Sequence, residues 1–125
     1  VAGFIGSPSM NFLNGKVEGA AVRVAALDDQ LIKTNVNLPP EGNDVIVGLR
    51  PNALTVSQAH SGLVIELRER LGGVAYDYLS TSTGERVVVE TKGDEPIVAG
   101  SHVCLDFKDE DALFFHSKTE ERLRE

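Results

Sequence analysis

The sequence predicts a mainly all-β domain, a small barrel or sandwich, and three observations carry that prediction. From Asn14 onward apolar and polar residues alternate with a period of two, the spacing of half-buried strands. Short apolar runs recur at intervals of roughly 8–12 residues with turn chemistry between them. The turns are well supplied, with 12 glycines and 5 prolines in 125 residues.

The elements follow in order. Val1 to Leu13 is apolar and small, and predicts a short helical end stopping at Gly6, where Pro8 disfavours helix at Ser7. Val22, Val24 and Ala26 alternate with Ala21, Arg23 and Ala25, a strand; Asp28 to Gln30 is a turn and Leu31 to Val36 a return strand. Leu38 to Asp44 is a loop, because Pro39 and Pro40 cannot donate to a ladder. Val45, Val47 and Leu49 share one strand face, and Pro51 ends that strand. Leu63 to Leu71 fits either period; the Gly72-Gly73 stop and the β-rich context favour a strand, with Leu63, Ile65 and Leu67 on one face. Val74 to Leu79 and Arg86 to Glu90 form a hairpin with Gly84 at a positive-φ position. Thr91 to Ile97 is a turn region, and Val103, Leu105 and Phe107 share a strand face. Lys108 to Asp111 is an acidic turn and Ala112 to Phe115 a last short strand. Ser117-Lys118-Thr119-Glu120 matches a capping box, predicting a C-terminal helix to Glu125, with a frayed tail as the alternative.

Composition bounds the function. The net charge is −7, from 12 Lys and Arg against 19 Asp and Glu, which argues against nucleic acid as the main partner. No apolar run approaches the roughly 20 residues of a membrane helix. The single Cys104 excludes an intrachain disulfide framework. The chain starts at Val1 with neither an initiator Met nor a signal-peptide pattern, and is expected to be a piece of a longer protein.

Catalytic signals are weak. There is no phosphate-cradling glycine motif; Gly15-Lys16 is followed by Val17, which lacks the hydroxyl a magnesium site needs. His102, Cys104 and Asp106 share a strand face about 7 Å apart, the best metal-like trio, yet a fourth ligand is missing and an ordinary strand surface is favoured. His60 and His116 are isolated. The acidic run Asp106 to Asp111 lacks calcium-loop spacing. Arg68 and Arg70 flank Glu69, and local salt pairing is favoured over an anion site. Tyr76 and Tyr78 share a face and are expected to pack in the core or an interface. The residues thus point to a non-enzymatic β domain with no metal or cofactor of its own.

Four blocks, in order, resemble the C-terminal regulatory part of ATP-binding subunits of carbohydrate-importing ABC transporters, of the maltose, trehalose and glycerol-phosphate importer type. Phe4-Ile5-Gly6-Ser7-Pro8-Ser9-Met10-Asn11-Phe12-Leu13 is close to F-I-G-S-P-x-M-N-F-L and carries most of the weight. Val47-Gly48-Leu49-Arg50-Pro51 resembles V-G-I-R-P, Glu69-Arg70-Leu71-Gly72 resembles E-x-L-G with Tyr76 after it, and Phe115, Thr119, Arg122 and Leu123 resemble a closing F-D-x-x-T-G-x-R-L. The resemblance implies an OB-like, transport-associated domain over residues 14–125, joined through 1–13 to an upstream ATPase domain that would hold ATP and Mg. It implies a homodimer contact, permease subunits as partners of the parent, a cytoplasmic regulatory protein as a further partner, and a place at the cytoplasmic face of the membrane. Arg50 is expected to be structural, its guanidinium bonded to loop carbonyls. The sequence departs from the pattern at Asn52, Ala53, Leu113, His116 and Glu120; replacing the usual Gly at 120 disfavours a positive-φ turn there. The alternative function is a small-oxyanion or small-ligand module, since related OB-like domains hold molybdate; Ser80 to Gly84 would supply its hydroxyls and N–H groups.

Overall fold

The computed structural model describes residues 10–92 and 97–125. Nine strands are placed there: β1 Asn11–Glu18, β2 Ala21–Val24, β3 Gln30–Lys33, β4 Asp44–Leu49, β5 Thr55–Leu71, β6 Val74–Ser80, β7 Arg86–Thr91, β8 His102–Asp106 and β9 Leu113–His116. Single 3-10 turns at Ala25–Leu27, Pro51–Ala53 and Asp109–Asp111 join them. The first sheet has the order β3-β2-β1-β4-β9 and the second β7-β6-β5-β8, every pairing antiparallel. The expected all-β, OB-like architecture is therefore present. Residues 1–9, with the expected N-terminal helical end and Phe4 to Pro8, lie outside the described residues, as do 93–96. β1 begins at Asn11, so Asn11, Phe12 and Leu13 are strand residues, three positions ahead of the period-two run.

Alternation sets the core. Leu13, Val17, Val22, Val24, Val45, Val47 and Leu49 of the first sheet meet Ile65, Leu79, Val87, Val89 and Val103 of the second, all buried. The β6–β7 hairpin forms as its sequence predicts, with Gly84 at φ 88°.

The long strand β5 departs from its predicted pattern. A bulge shifts its register against β6 between Ile65 and Leu67. Side chains alternate strictly, so one extra residue turns everything beyond it to the opposite face. Leu63 and Ile65 are buried, but Leu67 is 56% exposed. Arg68 takes the inward position instead and pairs with Asp77 of β6, Nε to Oδ1 2.6 Å and an amino nitrogen to Oδ2 3.0 Å. Local salt pairing does occur at Arg68, but beneath the sheet, where Asp77 is fully buried.

The C-terminal helix is not formed. The tail runs back along β9: Leu123 N–H donates to Phe114 O at 2.8 Å, His116 N–H to Glu121 O at 2.8 Å, and Phe115 bridges Arg122. A nine-residue helix is too short to hold itself together, whereas the tail satisfies backbone groups at the sheet edge. Glu120 occupies the positive-φ position itself, at φ 63°, so the turn survives replacement of the family's glycine. His116 holds the turn as well, its Nδ1 accepting from the N–H groups of Lys118 (3.3 Å) and Thr119 (3.4 Å).

Candidate docking site

Three of the four sequence blocks converge on the outer face of the first sheet. In the β1–β4 register Phe12 stands opposite Gly48, and in the β4–β9 register Gly48 stands opposite Leu113 and Ile46 opposite Phe115. Gly48 has no side chain, so its neighbours close over it. A Cβ there would lie 2.8 Å from Phe115 Cε2 and 3.2 Å from Met10 Sδ. Phe12 and Phe115 meet edge to face with ring centres 5.6 Å apart and planes at 78°. This is the geometry aromatic quadrupoles prefer. Phe12 remains 45% exposed. The result is an apolar platform of Met10, Phe12, Ile46, Leu113 and Phe115 on a surface where polar residues are the rule. Its charged neighbours Lys16 and Asp44 pair with each other at 3.6 Å.

Asn11 points the other way and is 5% exposed. Its amide donates to Val88 O (2.9 Å) and Leu49 O (3.1 Å), and its Oδ1 accepts from Val88 N–H (2.8 Å). One side chain thus acts as a strand partner for β7 and ties the edge of the second sheet to the first. A further link is Glu85, whose carboxylate accepts from Asn14 N–H at 2.8 Å. In the sequence Asn11 stands out only as a motif position, one residue before Phe12 and two before Leu13.

The other expected residues separate from this platform. Pro51 is buried at the head of a 3-10 turn, and Arg50 is exposed. The corner is held by backbone, Ala53 N–H donating to Arg50 O at 3.0 Å. Leu71 and Gly72 close the β5–β6 turn of the second sheet, with Gly72 at φ 67°. Across the β5–β8 pair, Ser57 Oγ sits 3.1 Å from Cys104 Sγ and donates to Asp106 Oδ2 at 3.0 Å. Among the described residues no three His, Cys, Asp or Glu side chains are placed to share a metal ion. At the turn considered for an oxyanion, Thr81 Oγ1 donates to Glu85 O (2.5 Å) and Thr83 Oγ1 to Glu85 Oε1 (2.8 Å). Those hydroxyls are engaged, and the carboxylate among them repels an anion. On the first sheet, a hydrogen bond from Arg23 holds the Glu18 carboxyl below the usual carboxylate range. Tyr76 and Tyr78 are half-buried on the outer face of the second sheet rather than in the core. Burial there, then the nearby Glu69 charge, pushes the Tyr78 phenol up. No helix among the described residues is long and apolar enough to cross a membrane.

Two packed antiparallel sheets with an aromatic platform on the outer face of the first define an OB-type domain. The chain belongs to the TOBE domain family, matched over residues 47–115, and residues 6–54 match the MalK OB fold domain. It is 39% identical to the lactose transport ATP-binding protein LacK of Rhizobium radiobacter, over 72% of this chain and 28% of that protein. It is 32% identical to the sn-glycerol-3-phosphate import ATP-binding protein UgpC of Cupriavidus metallidurans, over 98% of this chain and 36% of that protein. The chain thus spans about a third of the length of such relatives. Among solved structures it resembles the cytoplasmic molybdate-binding protein ModG in a molybdate-bound form, with TM-score 0.64 and 11% identity over 83% of this chain and 94% of that one. That likeness is one of fold.

Proposed function

We propose that this chain is the regulatory and pairing domain of the ATP-binding subunit of a sugar-type importer. Chemistry would belong to the rest of the subunit: ATP and Mg would sit on a nucleotide-binding domain joined through residues 1–13, and permease subunits would contact that domain. The parent then works at the cytoplasmic face of the membrane. The observation that carries the pairing role is the convergence of Met10, Phe12, Gly48 and Phe115, from three separate blocks, on one exposed apolar platform. Two copies joined through their platforms would keep the attached ATPase halves at high effective concentration while those halves open and close. Regulation follows if a partner binds one arrangement of the pair better than the other.

Sedimentation equilibrium tests the pairing. The chain is expected to self-associate, and Phe12→Ser with Phe115→Ser to weaken the association at least tenfold. Association that ignores both substitutions refutes the platform as the pairing face. Calorimetry with molybdate is expected to give no heat; saturable binding would move the assignment to an oxyanion module.

A further inference from the structure

The β5 bulge gives the outer face of the second sheet a surface that the sequence pattern had hidden. Its rows follow from the registers: Leu67 opposite Tyr78 opposite Val88, Glu69 opposite Tyr76 opposite Glu90, and Leu71 opposite Val74. Leu67 and Leu71 are 56% and 51% exposed, among the largest apolar exposures in the described chain. Between these apolar rows lies an acidic one. Tyr76 has a carboxylate on each side, its hydroxyl reaching Glu90 at 3.5 Å, while Tyr78 donates to Glu69 at 3.3 Å. None of the ion pairs among the described residues involves Glu69 or Glu90. The neighbouring Arg68 is turned inward to Asp77, and Arg86 lies against Glu66.

We propose that this face is a docking surface for a protein segment that presents an arginine between apolar side chains, the guanidinium lying on Tyr76 between Glu69 and Glu90 and the flanking apolar groups on Leu67 and Leu71. Charge selects this occupant. A second copy packed on the same face would set its own Glu69 and Glu90 against these. Nucleic acid and anionic lipid are repelled for the same reason. A guanidinium is planar, stacks on a phenol ring and bonds carboxylates with a fork of N–H groups, which an ammonium cannot do. Tyrosine and leucine around it supply an apolar centre of the kind that dominates binding energy in interfaces. The surface is separate from the Phe12 platform and does not require pairing through it.

The test uses the 125-residue chain and a fluorescent peptide of alternating leucine and arginine, with leucine–glutamate and serine–arginine peptides as controls. The leucine–arginine peptide is expected to bind best. Its amide shift changes should centre on Leu67, Glu69, Tyr76 and Glu90. Glu69→Gln with Glu90→Gln should weaken it about tenfold or more, the scale of losing charge-assisted bonds. Those substitutions keep side-chain size, and an unchanged urea midpoint verifies the fold. Phe12→Ser should leave peptide binding intact, so failure of the pairing reading and failure of this one are distinguishable. Equal binding to the Gln variant, equal binding of the glutamate or serine peptide, or shifts centred on Asp109 to Asp111 overturns the proposal. So does self-association of the chain that Leu67→Arg abolishes, since the occupant is then a second copy.

Discussion

Asn11→Ala should be among the most damaging single changes in the domain. The side chain makes three hydrogen bonds, of 2.8, 2.9 and 3.1 Å, in a site where it is 5% and Val88 8% exposed. Removing it leaves the Val88 N–H without a partner and frees two carbonyl oxygens. An unsatisfied buried donor costs about 1–3 kcal/mol, and the lost bonds to the carbonyls about 1 kcal/mol each, so the sum is roughly 3–5 kcal/mol. A domain of this size has about 5–15 kcal/mol of stability, so much of it is at stake. Urea unfolding followed by circular dichroism measures the loss, with the slope checked for two-state behaviour. Asn11→Asp separates hydrogen bonding from packing, because volume is conserved. Its carboxylate still accepts from Val88 N–H but faces two carbonyls with no proton to offer. Burial against two carbonyls, outweighing the one N–H donor, raises its folded pKa above the unfolded value of about 3.9, so the penalty is present at neutral pH and fades as pH falls through the folded pKa. A loss under about 1 kcal/mol for Asn11→Ala, or undiminished exchange protection of the Val88 amide, refutes the link between the sheets.

The remaining predictions concern local geometry and charge. Gly15→Ala places a Cβ 2.4 Å from Val22 Cγ1 and 3.0 Å from Val47 Cγ2. Both valines are buried, so it should cost about 2–3 kcal/mol. Gly48→Ala meets only the ends of Phe115 and Met10, and should cost about half as much by the same urea assay while pushing the Phe115 ring off Phe12. Glu120→Gly should stabilise by about 0.5–1 kcal/mol, because it relieves a left-handed backbone at an L-residue. His116→Asp should keep the tail turn and His116→Ala should speed amide exchange at Glu121 and Leu123. The lowered Glu18 carboxyl contributes stability above its ordinary value of 4.5 and loses it as pH falls through the folded pKa; Glu18→Gln should flatten that part of the stability–pH curve. The raised Tyr78 phenol works at the other end: its contribution is intact below the ordinary phenol value of 10.0 and lost as pH rises through the folded pKa. Titration of tyrosinate absorbance should show a late step that Tyr78→Phe removes and Glu69→Gln brings earlier.

Period two was a dependable guide wherever a strand kept one register. Val45, Val47 and Leu49 lie inward as their spacing predicts, and the β6–β7 hairpin turns at Gly84. The pattern failed at Glu66, where a bulge adds a residue; nothing in Ile-Glu-Leu-Arg announces it, because Leu67 looks like the next inward residue and Arg68 like the next outward one. What decides the issue is Asp77, nine positions on, which offers a buried partner to Arg68. A choice made by a partner on another strand is not visible to local periodicity. The tail failed for a related reason. A capping box weighs local bonds, whereas His116 and the edge of β9 offer the tail bonds across the sheet.

The motif blocks divide their labour in a way that single positions could not show. At the start of β1, Phe12 and the preceding Met10 lie on the platform while Asn11 and Leu13 face inward, to Val88 and to the core. A one-residue slip of β1 would therefore bury Phe12 and expose Asn11 together, breaking the platform and the bond between sheets in the same step. Gly48 couples the two consequences from the facing strand, since only a bare Cα there lets Phe115 close on Phe12 when β1 is in register. The register of β1 is thus tied to the same residues that form the outward platform. Asn11 also reaches across to β7, the strand that bears Glu90, so the same side chain that fixes β1 joins the two sheets.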